Sequence, residues 1–356
     1  MDLRQLITSE GTSTGWRLVR TGLRLCAVPY RAAVWLRNLL YDLGLKRCNR
    51  LLIPVISVGN LSVGGTGKTP VVAWLAKQAR ANNIRVAIIS RGYRQLDDGR
   101  NDEALELELA LPDVPHIQNP DRVAAGQLAV DELQMQLVIL DDAFQHRRIA
   151  RDLDIVLIDT TDSFLARRLL PGGLYRESMA SLARAQIVIL TRVNQASREN
   201  EEELEREIRR YAPQVAILKS QHRPTGFKVF PEIGALPLNT FSGRKALAFC
   251  GIGNPDAFFR ALASAGVEVL AERRFRDHHA YSAEDIHDLA QWAKQYSEAE
   301  ALICTVKDWV KLQSARIGKL PLAALEVNLE FLEGEDQFNE LLSPIFAKAV
   351  ASISDH

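Results

Sequence analysis

Residues 59–70 read GNLSVGGTGKTP, with glycines at 59, 64, 65 and 67 and the pair Lys68-Thr69 directly behind the last of them. Glycines let backbone N–H groups wrap phosphate oxygens, and a helix starting behind them adds its partial positive charge. A lysine there neutralises a terminal phosphate, and a threonine hydroxyl ligates Mg²⁺. Gly64, Gly65, Thr66, Gly67, Lys68 and Thr69 are therefore the expected nucleotide-binding set. The spacing departs from the strict G-x-x-x-x-G-K-[ST] pattern, because Ser62 stands where the first glycine belongs. A second tract, DDAFQHRR at 141–148, follows an apolar run at 137–140. Adjacent carboxylates at the end of a buried strand can hold Mg²⁺ or its waters beside a phosphate loop, which makes Asp141 and Asp142 expected metal-side residues. Gln145, His146, Arg147 and Arg148 make the tract more polar and varied than an idle turn needs.

Such groups must be positioned by a scaffold, and its pattern is legible. Apolar, β-branched runs recur at 51–58, 85–90, 137–141, 154–159, 186–191, 214–218, 246–250, 267–271 and 301–305. Helical patterns lie between most of them, at 69–83, 119–134, 196–211, 255–265, 283–297 and 336–351. This alternation predicts an α/β fold, a mostly parallel sheet with helices on both faces. Ligands then sit at the carboxyl ends of the strands, where the glycine loop, Asp141 and the segment after Ser90 converge. Proline and glycine crowd 223–245 without helical periodicity, which predicts a change of lobe near 222 and a short hairpin. The expected organisation is an N-terminal segment 1–50, a nucleotide-binding core 51–222, and a smaller lobe with a C-terminal α/β region over 223–356.

The 356 residues are 47% apolar and 25% charged, which excludes a disordered, collagenous or small disulfide-stapled chain. Lys and Arg (44) balance Asp and Glu (44), so there is no uniform field for nucleic acid. The balance conceals an asymmetry: residues 1–50 carry nine cations and three acids, a net +6, leaving −6 for the rest. On a helical wheel Arg17, Arg20, Arg24 and Arg31 fall within an arc of roughly 60°, with Leu18, Leu25, Leu36 and Leu40 toward the other side. Pro29 predicts a break, giving helices over about 13–27 and 31–43. The apolar side could pack on the main domain, or it could lie on an anionic lipid surface with Trp16 or Trp35 at the interface. No stretch reads as a signal peptide or a spanning helix. Cys26, Cys48, Cys250 and Cys304 lack the close spacing of a zinc or redox motif, which fits a reducing compartment.

Taken in order, VGNLSVGGTGKTP (58–70), SRGY (90–93), Asp102-Glu103, DDAFQHRR (141–148), DLDIVLID (152–159), LPGGLYRES (170–178), DHH (277–279) and TVKDWVKL (305–312) resemble the tetraacyldisaccharide 4′-kinases, the lipid A 4′-kinases of Gram-negative bacteria. The resemblance implies a P-loop kinase core joined to a smaller lobe, and an N-terminal helix attached to the membrane. It implies transfer of the ATP γ-phosphate, with Mg²⁺, to the 4′-hydroxyl of an acylated glucosamine disaccharide 1-phosphate, at the cytoplasmic face of the inner membrane. Carried over by residue, it makes Asp102 the base that accepts the hydroxyl proton, with His278 as its partner. Lys68 and Thr69 take the phosphate and Mg²⁺ roles, Asp141, Asp142 and Glu103 are metal-side, and Arg91, Tyr93 and Arg176 are substrate-side. Lys307 and Asp308 match a family motif whose role could be nucleotide-side or structural. The chain departs from the family with Asn101 and Ala104 around the acidic pair, and with Ala143 where glycine is usual.

Two other classes share the loop. A membrane-docking ATPase or GTPase switch needs no lipid acceptor, but TRVN at 191–194 lacks the aspartate of a guanine-reading NKxD element. A soluble enzyme that phosphorylates a carboxylate gives no reason for the basic, leucine- and tryptophan-bearing N-terminus. No protein partner is indicated.

Overall fold

The computed structural model describes residues 14–92, 102–163, 166–230 and 235–351. In chain order these form α1 (Thr14–Asp42), β1 (Val55–Asn60), α2 (Lys68–Ala81), β2 (Val86–Ser90), α3 (Asp102–Ala110), β3 (His116–Gln118), α4 (Arg122–Asp131), β4 (Leu137–Asp141), β5 (Leu153–Asp159) and β6 (Ile187–Thr191). There follow α5 (Arg198–Tyr211), β7 (Ala216–Val229), β8 (Ala235–Pro237), β9 (Lys245–Cys250), α6 (Pro255–Ser264), β10 (Glu268–Arg274), α7 (Ala283–Ala293), β11 (Ala301–Thr305), α8 (Val306–Leu312), β12 (Arg316–Ile317), β13 (Leu320–Glu333) and α9 (Glu335–Ala351). The chain divides into two compact units, one of 1–91, 113–221 and 331–356, the other of 92–112 and 222–330.

In the first unit the strands run in the order β7-β6-β5-β1-β4-β2-β3 and pair in parallel. β1, β4, β5 and β6 are buried along their whole length, which is why they read as continuous apolar runs and not as alternating ones. α2 buries Val71, Val72, Leu75, Ala76 and Ala79, the 3.6-residue stripe of a helix lying on a sheet. Ala125 and Ala129 of α4 join Ala87, Ile89, Val138 and Leu140 in one core cluster. Leu204 and Ile208 of α5 join Val156, Ile158, Val188 and Leu190 in another.

The break predicted at Pro29 does not occur: α1 is one helix of 29 residues with the proline inside it. A proline removes a single intrahelical hydrogen bond, and here tertiary contacts hold the helix beyond it. The Tyr30 hydroxyl donates to the Arg176 carbonyl at 3.0 Å, and Arg37 pairs with the buried carboxylate of Glu177. The face that packs therefore carries Tyr30 and Arg37. Leu25, Val28, Trp35 and Leu36 stay exposed, Leu25 at 67% and Trp35 at 63%. Among the described residues no helix is long and apolar enough to cross a membrane.

In the second unit β10, β9, β11 and β13 pair in parallel in that order. One face of this sheet packs Phe227, Phe258, Phe259 and Leu262, the other Leu289, Trp292, Trp309 and Val310. The expected hairpin is present, with Gly226–Lys228 of β7 antiparallel to β8. The C-terminal helix, grouped by sequence with this lobe, belongs to the first unit. Its Phe338 is fully buried, stacked on Trp74 of α2 at 4.9 Å and edge-on to Phe331 at 5.6 Å. This aromatic cluster is nonlocal, and nothing in the local pattern of 331–338 reveals it. Truncating Phe338→Ala is expected to lower unfolding stability by about 3–5 kcal/mol. Equilibrium denaturation checks this, and a smaller loss would mean that the helix is not part of the first unit's cooperative core.

Candidate active site

β1 ends in the glycine loop, and α2 begins at Lys68 behind Gly67, which adopts the left-handed conformation (φ 88°) and offers no side-chain cap. Gly59 is required by close approach, since a Cβ there would lie 2.6 Å from the Cβ of Phe144. At Gly64 and Gly65 the opposite holds: the space a Cβ would enter is open. An uncapped helix start beside this open cradle offers unpaired backbone N–H groups and room for an anion. The loop's shape is fixed from within and without. The Asn60 side-chain amide donates to Thr66 Oγ1 at 3.0 Å, and Gln145 Nε2 donates to the Asn60 carbonyl at 2.9 Å. From β6, the Thr191 hydroxyl donates to the Thr66 carbonyl at 3.0 Å. Arg192, ion-paired with buried Asp159, donates to the Gly65 carbonyl at 2.9 Å. The TRVN segment thus acts as a brace for the loop, which the sequence did not suggest.

Parallel register sets Val58 beside Asp141. This brings the aspartate pair to the carboxyl end of β4, next to the loop. Asp141 is buried, and Asp142 follows with φ 49°. Arg176 holds Asp142 through two hydrogen bonds, NH1 to Oδ2 at 2.9 Å and NH2 to Oδ1 at 2.7 Å, while also donating to the Asn60 side chain. Lys68 Nζ lies 3.5 Å from Asp142 Oδ1. Burial raises the Asp142 carboxyl pKa, but the charge of Lys68 and the hydrogen bonds of Arg176 outweigh it and hold the group well below the usual carboxylate range. Arg176, expected on the substrate side, is thus committed to Asp142 and Asn60. Asp142, expected as a metal ligand, is the anion between two cations.

The remaining groups of DDAFQHRR divide their work. Arg147 donates to Asp42 at 2.7 Å and to the Asn38 carbonyl at 3.1 Å, fastening the end of α1. His146 is pushed down to about 4 by burial and by the nearby charges of Arg122 and Arg148, so its ring is neutral near pH 7. Arg122, missed by the sequence reading, is 3% exposed at the first position of α4, and its Nε is buried with no hydrogen-bond partner among the described residues. Burial lowers its pKa, the charges of Asp142 and Asp141 raise it, and Arg91 lowers it, so its guanidinium lies within electrostatic reach of the aspartate pair. A lone cation opening a mostly apolar helix is the signal it left in the sequence.

Thr69 lies within the first turn of α2 and is buried, and Arg91 is exposed after β2. Tyr93 lies outside the described residues, as do the side chains of Asp102 and Glu103, whose backbones open α3 in the second unit. His278, in the same unit, takes a left-handed conformation (φ 59°), and its N–H donates to the Gly251 carbonyl at 3.1 Å. His279 is engaged otherwise, 3.2 Å from Asp285 and stacked on Phe275 at 4.7 Å. Ser282 and Asp285 form a capping box at the start of α7.

Among the described residues no group of three or more His, Cys, Asp or Glu is assembled to hold a metal by itself. A Mg²⁺ ion that keeps its waters and shares substrate phosphates needs only one or two protein ligands. The Thr69 hydroxyl and the Asp141 carboxylate beside an open glycine cradle fit that demand.

The depressed His146 pKa sets a pH dependence. Between about 4 and the ordinary 6.5 the unfolded chain binds the proton that the folded ring resists, so stability is full above 6.5 and falls as pH drops toward 4. His146→Gln is expected to flatten the melting temperature against pH in that window; an unchanged slope would show that the ring is not held neutral.

A family model described as Tetraacyldisaccharide-1-P 4'-kinase matches residues 19–347. A tetraacyldisaccharide 4'-kinase of Geobacter metallireducens is 39% identical over 336 residues, covering 88% of this chain and 95% of that protein. That of Geobacter sulfurreducens is 35% identical over 351 residues, covering 93% and 95%. A crystal structure of "apo" form LpxK from Aquifex aeolicus in complex with ATP superposes with a TM-score of 0.73 at 30% identity, covering 92% of this chain and 99% of that one. With a braced phosphate loop ending in Lys68-Thr69, and with likeness over nearly its whole length, the chain belongs to the tetraacyldisaccharide-1-P 4'-kinase family.

Proposed function

We propose that this chain transfers the γ-phosphate of ATP to the 4′-hydroxyl of a tetraacylated glucosamine disaccharide 1-phosphate, a step of lipid A biosynthesis. The observation that carries the reading is the Lys68–Asp142–Arg176 charge lattice beside an open glycine cradle, in a chain of this family. Phosphoryl transfer asks the protein for positioning and charge neutralisation more than for covalent chemistry. Backbone N–H groups of residues 64–67 and the start of α2 bind the β- and γ-phosphates, and Lys68 neutralises the γ-phosphate. Thr69 and Asp141, with Glu103 as the family resemblance implies, would hold Mg²⁺, which would supply screening of phosphate charge. Asp142 keeps Lys68 and Arg176 in place. Arg91, Tyr93 and the buried Arg122 supply the substrate side, the arginines meeting phosphate oxygens. Asp102, assisted by His278, takes the proton of the sugar hydroxyl as its oxygen bonds to phosphorus and the bond to the ADP oxygen breaks.

The lipid substrate gives α1 its role. Exposed Leu25, Val28, Trp35 and Leu36 beside Arg24 and Arg31 form an interfacial surface for an anionic leaflet, each basic residue contributing on the order of 1 kcal/mol. The protein then sits peripherally on the cytoplasmic face of the inner membrane. A switch ATPase without a lipid acceptor has no observation in its favour.

Incubation with γ-labelled ATP, Mg²⁺ and the detergent-dispersed disaccharide lipid, with separation of the lipids, tests the reading. Labelled lipid is expected from the natural chain and is expected to be nearly absent from a folded Lys68→Ala. Asp102→Ala is expected to lose about 10²–10⁴-fold in turnover with ATP binding little changed. Unaltered turnover would move the base elsewhere. Flotation with vesicles containing anionic phospholipid is expected to fail after deletion of residues 1–45; equal binding would remove α1 from the membrane contact.

A further inference from the structure

We infer that Asp308 is a positioning residue that fixes the backbone of the loop carrying His278, while other residues of the same helix, α8, pack against the helix that begins at Asp102. This rests on the reading of Asp102 and His278 as that base. Asp308 is fully buried, and the partners of its carboxylate among the described residues are hydrogen-bond donors. Its carboxylate accepts from the Gly251 N–H at 3.1 Å, from the Tyr281 hydroxyl at 2.9 Å and from the Thr305 hydroxyl at 2.6 Å. A buried carboxyl group is retained only where such donors offset its lost hydration.

These donors bracket the loop at 277–281. Gly251, held by Asp308 through its N–H, accepts the His278 N–H through its carbonyl. Tyr281, held through its hydroxyl, is three residues beyond His278. Lys311, one turn further along α8, donates to the His279 carbonyl at 3.1 Å. Three contacts from one short helix therefore define a stretch in which a histidine takes the left-handed conformation, strained for a residue with a Cβ. There is no slack at the join, because a Cβ on Gly251 would lie 3.1 Å from Asp308 Oδ1 and 3.2 Å from His279 Cβ. The same helix packs on α3, whose first residue is Asp102, and Leu105 and Leu109 join Trp309 and Val310 in its core cluster. One element thus anchors the backbone on which each proposed base residue stands, and all of it lies within the second unit.

The test uses the full chain with Asp308→Ala, Asp308→Asn and Tyr281→Phe, reading lipid turnover, KM for ATP and the His278 imidazole resonances in histidine-labelled protein. Tyr281→Phe keeps its ring against Phe275 and Phe249, so it probes the contact even if Asp308→Ala does not fold. Displaced His278 resonances are expected in Asp308→Ala and Tyr281→Phe. Turnover should drop by about tenfold or more in Asp308→Ala, at most the 10²–10⁴-fold of a lost base, with KM for ATP unchanged. Asp308→Asn, which keeps an acceptor for Gly251 and Tyr281, should recover most of the turnover. In a His278→Ala background Asp308→Ala should add no further loss. Unmoved His278 resonances, or a further loss in the double variant, would overturn the inference. Moved resonances with full turnover in His278→Ala would retire His278 from the chemistry while upholding Asp308 as the anchor of its loop.

Discussion

The carboxylate of Asp142 lies between two cations, and the geometry of the phosphate loop follows from that placement. Arg176 grips it with two parallel hydrogen bonds and reaches the Asn60 side chain, which in turn spans the loop to Thr66. Lys68 is drawn to the same carboxylate, so the ammonium that must meet a phosphate is oriented before any phosphate arrives. Preorganisation of this kind removes reorganisation cost at the moment charge is transferred. It also accounts for the left-handed backbone at Asp142, a strained conformation that persists where its surroundings over-determine it.

Arg176 and Glu177 carry this arrangement to the N-terminal helix. While the Arg176 side chain serves Asp142, its carbonyl accepts from Tyr30, and the next residue, buried Glu177, takes Arg37 and Arg184. Arg147 fastens the helix end through Asp42 and Asn38. The segment 170–178 and the tract 141–148 are therefore shared between phosphate chemistry and the seating of α1. The seated face is polar and aromatic, and the leucines and Trp35 are left outward. Packing alone would have buried them, so their exposure is the physical argument for a lipid surface.

Much of this was legible in the residues. Buried parallel strands announce themselves as apolar runs, and a glycine loop with Lys68-Thr69 between strand and helix has few other uses. What escaped was nonlocal or locally ambiguous. The alternating ALELELA of α3 has a two-residue rhythm that masks a helix supported by Leu105 and Leu109 against α8. Pro29 predicted a break that tertiary anchoring overrode, and the C-terminal helix joins the first unit through an aromatic cluster that no local pattern encodes. Arg122 and the Thr191-Arg192 brace depend on which strands lie side by side, a fact that emerges only from the topology. The family resemblance pointed to Asp102 and His278, but their individual sequences, an acid in a charged loop and a histidine before a helix cap, carry no distinguishing signal.

The most direct test of the account is where the new phosphate resides. After reaction of the purified chain with ATP, Mg²⁺ and the acylated disaccharide 1-phosphate, the lipid product is examined by ³¹P–¹H correlated NMR. The account predicts a second phosphomonoester, coupled to the proton on the 4′ carbon, formed in step with ADP. Free inorganic phosphate with unmodified lipid, or a phosphate coupled to a different sugar proton, would contradict it.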